Sequence, residues 1–405
     1  MIQAKCRLAL WSAVNVLILA NFVHAADITN KIDPPAKSSH LGRAEFQGEV
    51  RVPCAKGSCS LTEFMQEVRV CALLVIKSGK IKFELYDKKA ETCAERGADR
   101  PGKEYGLASV TKSITSTLMG HVIATKHGAR TRAKFEEILR RPVDSFLPQL
   151  GKRVSAGGYS GVPISHVLNM RSGVRWSEYS YGGWFDGFTD SAKFDRRVKE
   201  GQKVSIVEFA KKYGSRGLNG GFNYSALDAS INAAVAQDML GDQNLADFLE
   251  WGLWKAIGAE ARARWKEDYT GTPIGACCSY MRIRDLARFG LLVLNKGRGP
   301  DGRQVIPSAW FDLAISHGPD GADAIPPGNY SHNPGCPIDY RYQWWLFPRP
   351  RTDFTAVGIA GQFLHIYPDE DALIVQISDW GHWEDGDRRE CASFAMHDAL
   401  MKALR

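Results

Sequence analysis

The chain has 405 residues, 44% of them hydrophobic and 24% charged. That composition excludes a disordered or fibrous chain and supplies a full core for one large domain or two. The formal net charge is +7, or +5 without Lys5 and Arg7 (7 − 2); the excess is concentrated in Arg130, Arg132, Lys134, Arg140 and Arg141, with no nucleic-acid-binding motif around them, so a solvated basic face is expected and no nucleic-acid partner.

Residues 1–25 carry the pattern of a secretory signal peptide. Lys5 and Arg7 precede an apolar run from Leu8 to Ala20, and Val23-His24-Ala25 supplies the small residues of a cleavage site. The run is interrupted by Ser12 and Asn15 and falls short of the ~20 residues that span a bilayer. An exported protein, periplasmic or secreted, is expected, with no stable membrane insertion after cleavage. Eight cysteines then remain, an even number that suggests disulfides in an exported chain. Cys54 with Cys59 and Cys71 with Cys93 are local pairs, while Cys277 and Cys278 are each open to bridging elsewhere. No C-x-x-C pair and no adjacent histidine pair at ligand spacing is present, so no metal is expected.

Residues 26–60 are polar, with Pro34-Pro35 and Ser38-Ser39, and are expected to form an irregular lead-in to a domain spanning 61–405. Val68–Ile76 and Lys80–Tyr86 are β-rich runs around Ser78-Gly79, a hairpin signal. A buried helix is expected from about Ser109 to His127. A helical insert, roughly 128–300, holds apolar residues at helical spacing over Val204–Tyr213, Ala226–Met239, Asn244–Ile257 and Ile283–Asn295. Near the C-terminus Gln362–Tyr367 and Leu373–Ser378 flank Pro368-Asp369-Glu370-Asp371, a second hairpin, before a final helix from about Cys391 to Leu404. A hairpin at each end predicts one sheet assembled from 61–108 and 340–405.

Ser109-Val110-Thr111-Lys112 carries the chemistry. Positions i and i+3 share one helix face, so the Ser109 hydroxyl and the Lys112 amine can meet. Serine becomes a nucleophile only when a base accepts its proton, and a buried lysine is such a base once its pKa falls. Two further parts are needed, a proton shuttle and a strand edge that binds the acyl oxygen. Tyr224, in Gly221-Phe222-Asn223-Tyr224-Ser225-Ala226, is the candidate shuttle, and Gly358-Ile359-Ala360-Gly361-Gln362 leads into the candidate strand.

With these parts in chain order, the sequence resembles the serine β-lactamase-like superfamily, in its class C β-lactamase, esterase and 6-aminohexanoate-dimer hydrolase branch. Ile164–Val174, Arg284–Gly290 and Tyr342-Gln343-Trp344-Trp345 are similar to further stretches of that family. The resemblance implies an α/β (α+β) fold of β-lactamase/transpeptidase type, an antiparallel sheet flanked by helices plus a helical domain. It also implies roles: Ser109 as nucleophile, Lys112 as base, Tyr224 as proton shuttle, and the backbone N–H groups of Ser109 and Gln362 as oxyanion hole. No cofactor is implied.

Departures narrow the substrate. Ala226 stands where penicillin-recognising members carry the asparagine of Y-x-N, and Ile359 and Ala360 stand where they carry the lysine and hydroxyl of K-[ST]-G. Each lost charge-assisted hydrogen bond to a β-lactam carboxylate is worth roughly 1.5–3 kcal/mol, with Arg349 and Arg351 the nearest candidates to compensate. A small ester or linear amide is therefore the expected substrate, lined by Tyr179, Trp345, Ile359, Ala360 and Gly361, with Tyr181, Trp184, Phe185 and Phe188 completing an aromatic loop. A peptidoglycan-directed peptidase or weak β-lactamase, and a non-catalytic ligand-binding member of the fold, are the alternatives. The oligomeric state is not legible.

Overall fold

In the computed structural model, which describes residues 29–87, 102–178, 189–199, 203–217, 221–318, 323–327, 329, 331–381 and 386–405, the two ends of the chain meet in one sheet. Its strands are β2 (Gly42–Arg43), β5 (Val70–Lys77), β6 (Lys80–Tyr86), β10 (Asp339–Arg341), β11 (Trp344–Leu346), β12 (Phe354–Gly358), β13 (Gln362–Tyr367) and β14 (Ala372–Ser378). The order is β10-β11-β12-β13-β14-β5-β6-β2, antiparallel throughout except for the parallel β2–β6 edge. The join is β14 against β5, where Leu373 faces Ile76 and Val375 faces Leu74. Both strands are apolar without alternation and buried along nearly their whole length, as strands covered on both faces must be.

Helices supply the covers. Ala72, Leu74 and Ile76 share a core with α4 (Ile283–Leu294), whereas Leu73 and Val75 share the opposite core with α1 (Leu61–Val68) and α5 (Gly386–Ala403). The first helix starts at a capping box between Ser60 and Glu63 and stops at Arg69 in the left-handed conformation. Between sheet and insert runs α2 (Val110–Lys126), buried on every side from Val110 to Ala124, as befits a helix in the centre of a large domain. Packed along it is α3 (Ala226–Leu240).

The predicted lead-in is more ordered than its composition suggests. β1 (Thr29–Ile32) pairs with β8 (Ala263–Lys266) in a small sheet completed by β9 (Ser279–Met281) and β7 (Tyr105–Gly106). β3 (Arg51–Cys54) and β4 (Gly57–Ser60) form a hairpin closed by the Cys54–Cys59 disulfide. Strands this short carry no readable period, and distant partners hold them. Cys336 bonds Cys391, and Cys277 bonds its neighbour Cys278 rather than a distant cysteine. Cys93 and the predicted leader lie outside the described residues.

Gly275 shows how tightly the insert is packed on the two central helices. A Cβ there would lie 2.4 Å from the Ala229 carbonyl oxygen and 2.8 Å from the Ala233 Cβ, both on α3. Gly275→Ala is expected to destabilise the protein by about 1–3 kcal/mol, the usual size of overpacking, as measured by urea denaturation.

Candidate active site

The nucleophile candidate sits where a turn becomes a helix. Ala108 adopts the left-handed region at φ 47°, and Ser109 follows as the N-cap of α2 with no capping bond from its side chain. The hydroxyl is therefore left for other partners. One turn on, the Lys112 Nζ lies 2.9 Å from Ser109 Oγ and donates to the Ala276 carbonyl at 3.0 Å. Lys112 is 2% exposed, and desolvation lowers its pKa to about 8, with the Glu178 carboxylate acting in the opposite direction.

Tyr224 completes the cluster. Its ring lies 4.7 Å below Lys112 Nζ, and its hydroxyl is hydrogen-bonded to Ser109. Burial raises the phenol pKa well above its ordinary value, helped by the charges of Glu178 and Glu390 and opposed by the Ser109 bond. The amine, not the phenol, is thus the group that loses its proton near neutral pH.

Several segments fix Tyr224. The Asn223 N–H donates to the Met170 carbonyl at 2.8 Å, and Ser225 caps α3 by accepting from the Asp228 N–H. Asp228 Oδ1 accepts from Tyr159 at 2.7 Å and from Ser172 at 2.8 Å. Asn169 accepts from the Tyr342 N–H at 2.8 Å. The Ile164–Val174 stretch that carries part of the resemblance is therefore a brace for the tyrosine loop. Sequence reasoning missed Glu178, a buried carboxylate that accepts from the Trp176 indole at 2.6 Å and from the Ala226 N–H at 2.9 Å, where α3 begins. An anion at a helix N-terminus is favoured there, but its partners lie 48 residues apart or on a two-residue neighbour, and no local motif announces it.

The other expected residues divide. Trp345 packs against Tyr224 at 5.5 Å between ring centres and against Tyr340 at 4.8 Å. Its neighbour Trp344 points the other way, into the core beside Phe289 and Phe354, so of the two adjacent tryptophans only Trp345 lies beside Tyr224. Ile359, Ala360 and Gly361 form the turn between β12 and β13. Gly361, at φ 85°, would place a Cβ 2.4 Å from the Trp380 ring, and Gly358 lies against the Leu107 carbonyl. This turn consequently abuts the segment just before Ser109, and the Gln362 side chain ties it down through Ile359, Ala360 and Ser378 carbonyls. Tyr179, Tyr181, Trp184, Phe185 and Phe188 lie outside the described residues.

Arg351 is bound by Asp353 and Asp398 at the far end of β12, so it does not replace the missing lysine. Arg284 and Asp285, of another family-like stretch, are structural. Arg284 pairs with Glu84, and Asp285 accepts from the Glu260 and Ala261 N–H groups. Elsewhere Cys54, Cys59 and Glu67 lie close enough to share an ion, but the two sulfurs are joined in a disulfide and offer no thiolate.

Comparison with known proteins gives the family. The family model described as Beta-lactamase matches residues 60–392. A curated 6-aminohexanoate-dimer hydrolase of Paenarthrobacter ureafaciens is 26% identical over 343 residues, 80% of this chain and 77% of that protein. Among solved structures, a candidate 6-aminohexanoate-dimer hydrolase from Bacillus anthracis superposes with a TM-score of 0.74 at 19% identity, covering 93% of this chain and 91% of the other. A class C β-lactamase from Rhodobacter sphaeroides gives 0.54 at 14% identity, covering 84% and 97%. A family match over most of its length, on a sheet and helices of the same fold, makes this chain a member of the Beta-lactamase family with the β-lactamase-type fold.

Proposed function

We propose that this protein is an exported serine hydrolase that cleaves an ester or linear amide through an acyl-enzyme on Ser109. The observation that carries the reading is the contact of 2.9 Å between a buried, pKa-lowered Lys112 and a half-buried Ser109 whose hydroxyl caps no helix.

The steps follow from these atoms. Neutral Lys112 takes the Ser109 proton as Oγ attacks the substrate carbonyl. The charge that develops on the carbonyl oxygen is met by the backbone N–H groups of Ser109 and Gln362, at the helix start and the strand edge. Tyr224, which keeps its proton throughout the working range, hands it to the departing alcohol or amine and recovers one from Lys112. Water then attacks the acyl-enzyme by the reverse sequence. Trp345 and the turn of Ile359, Ala360 and Gly361 give the acyl side an apolar wall, and Tyr179 is the proposed contact for the leaving group.

The linear amide draws support from the relative that hydrolyses a 6-aminohexanoate dimer. Against a β-lactam, Ala226, Ile359 and Ala360 offer no side-chain donor to a carboxylate. Export draws support from the leader pattern and from disulfides at Cys54–Cys59, Cys277–Cys278 and Cys336–Cys391.

Intact mass after exposure to a fluorophosphonate tests the reading. A single adduct on the wild type and none on Ser109→Ala is expected. Absence of an adduct on folded wild type would move the non-catalytic reading to the front.

A further inference from the structure

The base has a second support besides burial. A neutral lysine amine carries two N–H bonds and one lone pair, and only the lone pair can take the serine proton. With one N–H held by the Ala276 carbonyl at 3.0 Å, the lone pair is free to face Ser109 Oγ. The position of that carbonyl therefore matters to the reaction as much as the position of the lysine.

Ala276 belongs to a segment pinned on both sides of an unusual turn. Before it, the Gly275 carbonyl accepts from Thr115 at 2.8 Å. After it, Ser279 Oγ meets Thr111 Oγ1 at 2.7 Å, and the Ser279 carbonyl accepts from the Leu107 N–H at 2.9 Å. Between these anchors stand Cys277 and Cys278, bonded to each other, with Cys278 at φ 74°. A non-glycine residue rarely holds that conformation. A bond between adjacent cysteines closes a small ring through their shared peptide, so neither residue turns independently. The ring therefore couples the left-handed turn at Cys278 to the peptide that follows the Ala276 carbonyl, alongside the bonds from the Lys266 N–H to the Cys278 carbonyl and from the Trp265 indole to the Cys277 carbonyl.

We infer that the Cys277–Cys278 disulfide is a positioning group for the catalytic base, and that its reduction reversibly slows acylation of Ser109. The inference rests on the serine-hydrolase reading above. Both cysteines are half-buried, within reach of a small dithiol. One thiolate of the dithiol attacks a cysteine sulfur and expels the other cysteine as thiolate. Its second thiol then attacks the mixed disulfide. The dithiol is oxidised to a cyclic disulfide, and two electrons and two protons end on Cys277 and Cys278. With the ring open, Cys278 relaxes toward right-handed backbone and the Ala276 carbonyl leaves the amine.

The test is the rate of fluorophosphonate labelling of Ser109 in the full chain, before and after treatment with dithiothreitol, with reduced cysteines mapped by alkylation. Wild type is expected to label about tenfold more slowly when reduced, the size of one lost hydrogen bond to a charged group, and to recover on reoxidation. Cys277→Ser/Cys278→Ser should start slow and ignore the reductant. Cys336→Ser/Cys391→Ser should keep the full response.

The pH profile separates positioning from loosening. Glu178 is the charge that acts on Lys112, while Tyr224 and Ser109 touch it and Glu390 acts on Tyr224. The Ala276 carbonyl favours the ammonium, so its loss should move the acid limb to lower pH as the plateau falls. A limb that moves upward, as water entry would cause, overturns the inference. Unchanged labelling with Cys277 and Cys278 both alkylated overturns it alone, whereas no labelling of oxidised wild type overturns the serine reading as well.

Discussion

Ser109→Ala is expected to lower kcat/KM for p-nitrophenyl esters and for a linear amide by about 10⁴- to 10⁶-fold, the range seen when a serine nucleophile is removed from an otherwise intact site. Stability should hardly change. Replacing a capping serine commonly costs about 1 kcal/mol, but the Ser109 side chain makes no capping bond, so that cost does not arise. Steady-state hydrolysis beside a thermal melt reads both quantities. Residual activity within tenfold of wild type, in protein free of wild-type contamination, would show that the serine is not the nucleophile.

Lys112→Met is expected to separate activity from stability in the opposite sense. Methionine fills the buried volume of the lysine side chain without an amine, and turnover should drop at least about 10³-fold through loss of the base. Below about pH 8 the native lysine is protonated and buried, while the same group in the unfolded chain keeps its ordinary value of 10.5. From about pH 8 to 10.5 the unfolded chain holds a proton that the native state has released, so wild-type stability rises with pH across that window. At pH 7 the full penalty is present, roughly 3 kcal/mol from the size of the shift. The variant should therefore melt no lower than wild type at pH 7 and lose the wild type's gain in stability above pH 8. In wild type, kcat/KM should rise with pH to a plateau past about pH 8, because Tyr224 stays protonated there. A flat profile through pH 6–9 would remove Lys112 from the role.

The sheet and the meeting of Ser109, Lys112 and Tyr224 were legible in the residues for a physical reason. Unalternating runs such as Val70–Lys77 and Ala372–Ser378 announce buried strands, and a serine and a lysine one turn apart stand out once Tyr224 and the Gly358–Gln362 segment follow them in chain order. Local patterns gave out where partners are remote. Glu178 sits in a stretch with no recognisable motif, and only folding brings the α3 N-terminus onto it. Trp344 and Trp345 are indistinguishable in sequence, yet strand alternation sends one to the core and one to Tyr224. The helix Leu61–Val68 does carry a readable signature in Ser60 and Glu63. Asn244–Ile257 has a single helical period, but the chain widens there from α-helix at Leu245–Leu249 to π-helix at Glu250–Trp254, a change of hydrogen-bond step that apolar spacing does not encode.

The pairing of β14 with β5 also governs the order in which the molecule can be made. Strand β5 is synthesised early, and its partner β14 emerges about three hundred residues later. Contacts of such long range close slowly, and an apolar strand waiting for its neighbour is exposed to mispairing. Because α2 packs against strands β12 and β13 from the C-terminal part of the chain, a nascent chain that stops short of Ser378 is expected to carry Ser109 and Lys112 in a wet, unformed site. Pairing of β14 with β5 is thus expected to be the step that completes the candidate site, and ribosome-bound intermediates should be inert toward an acylating probe until β14 is free.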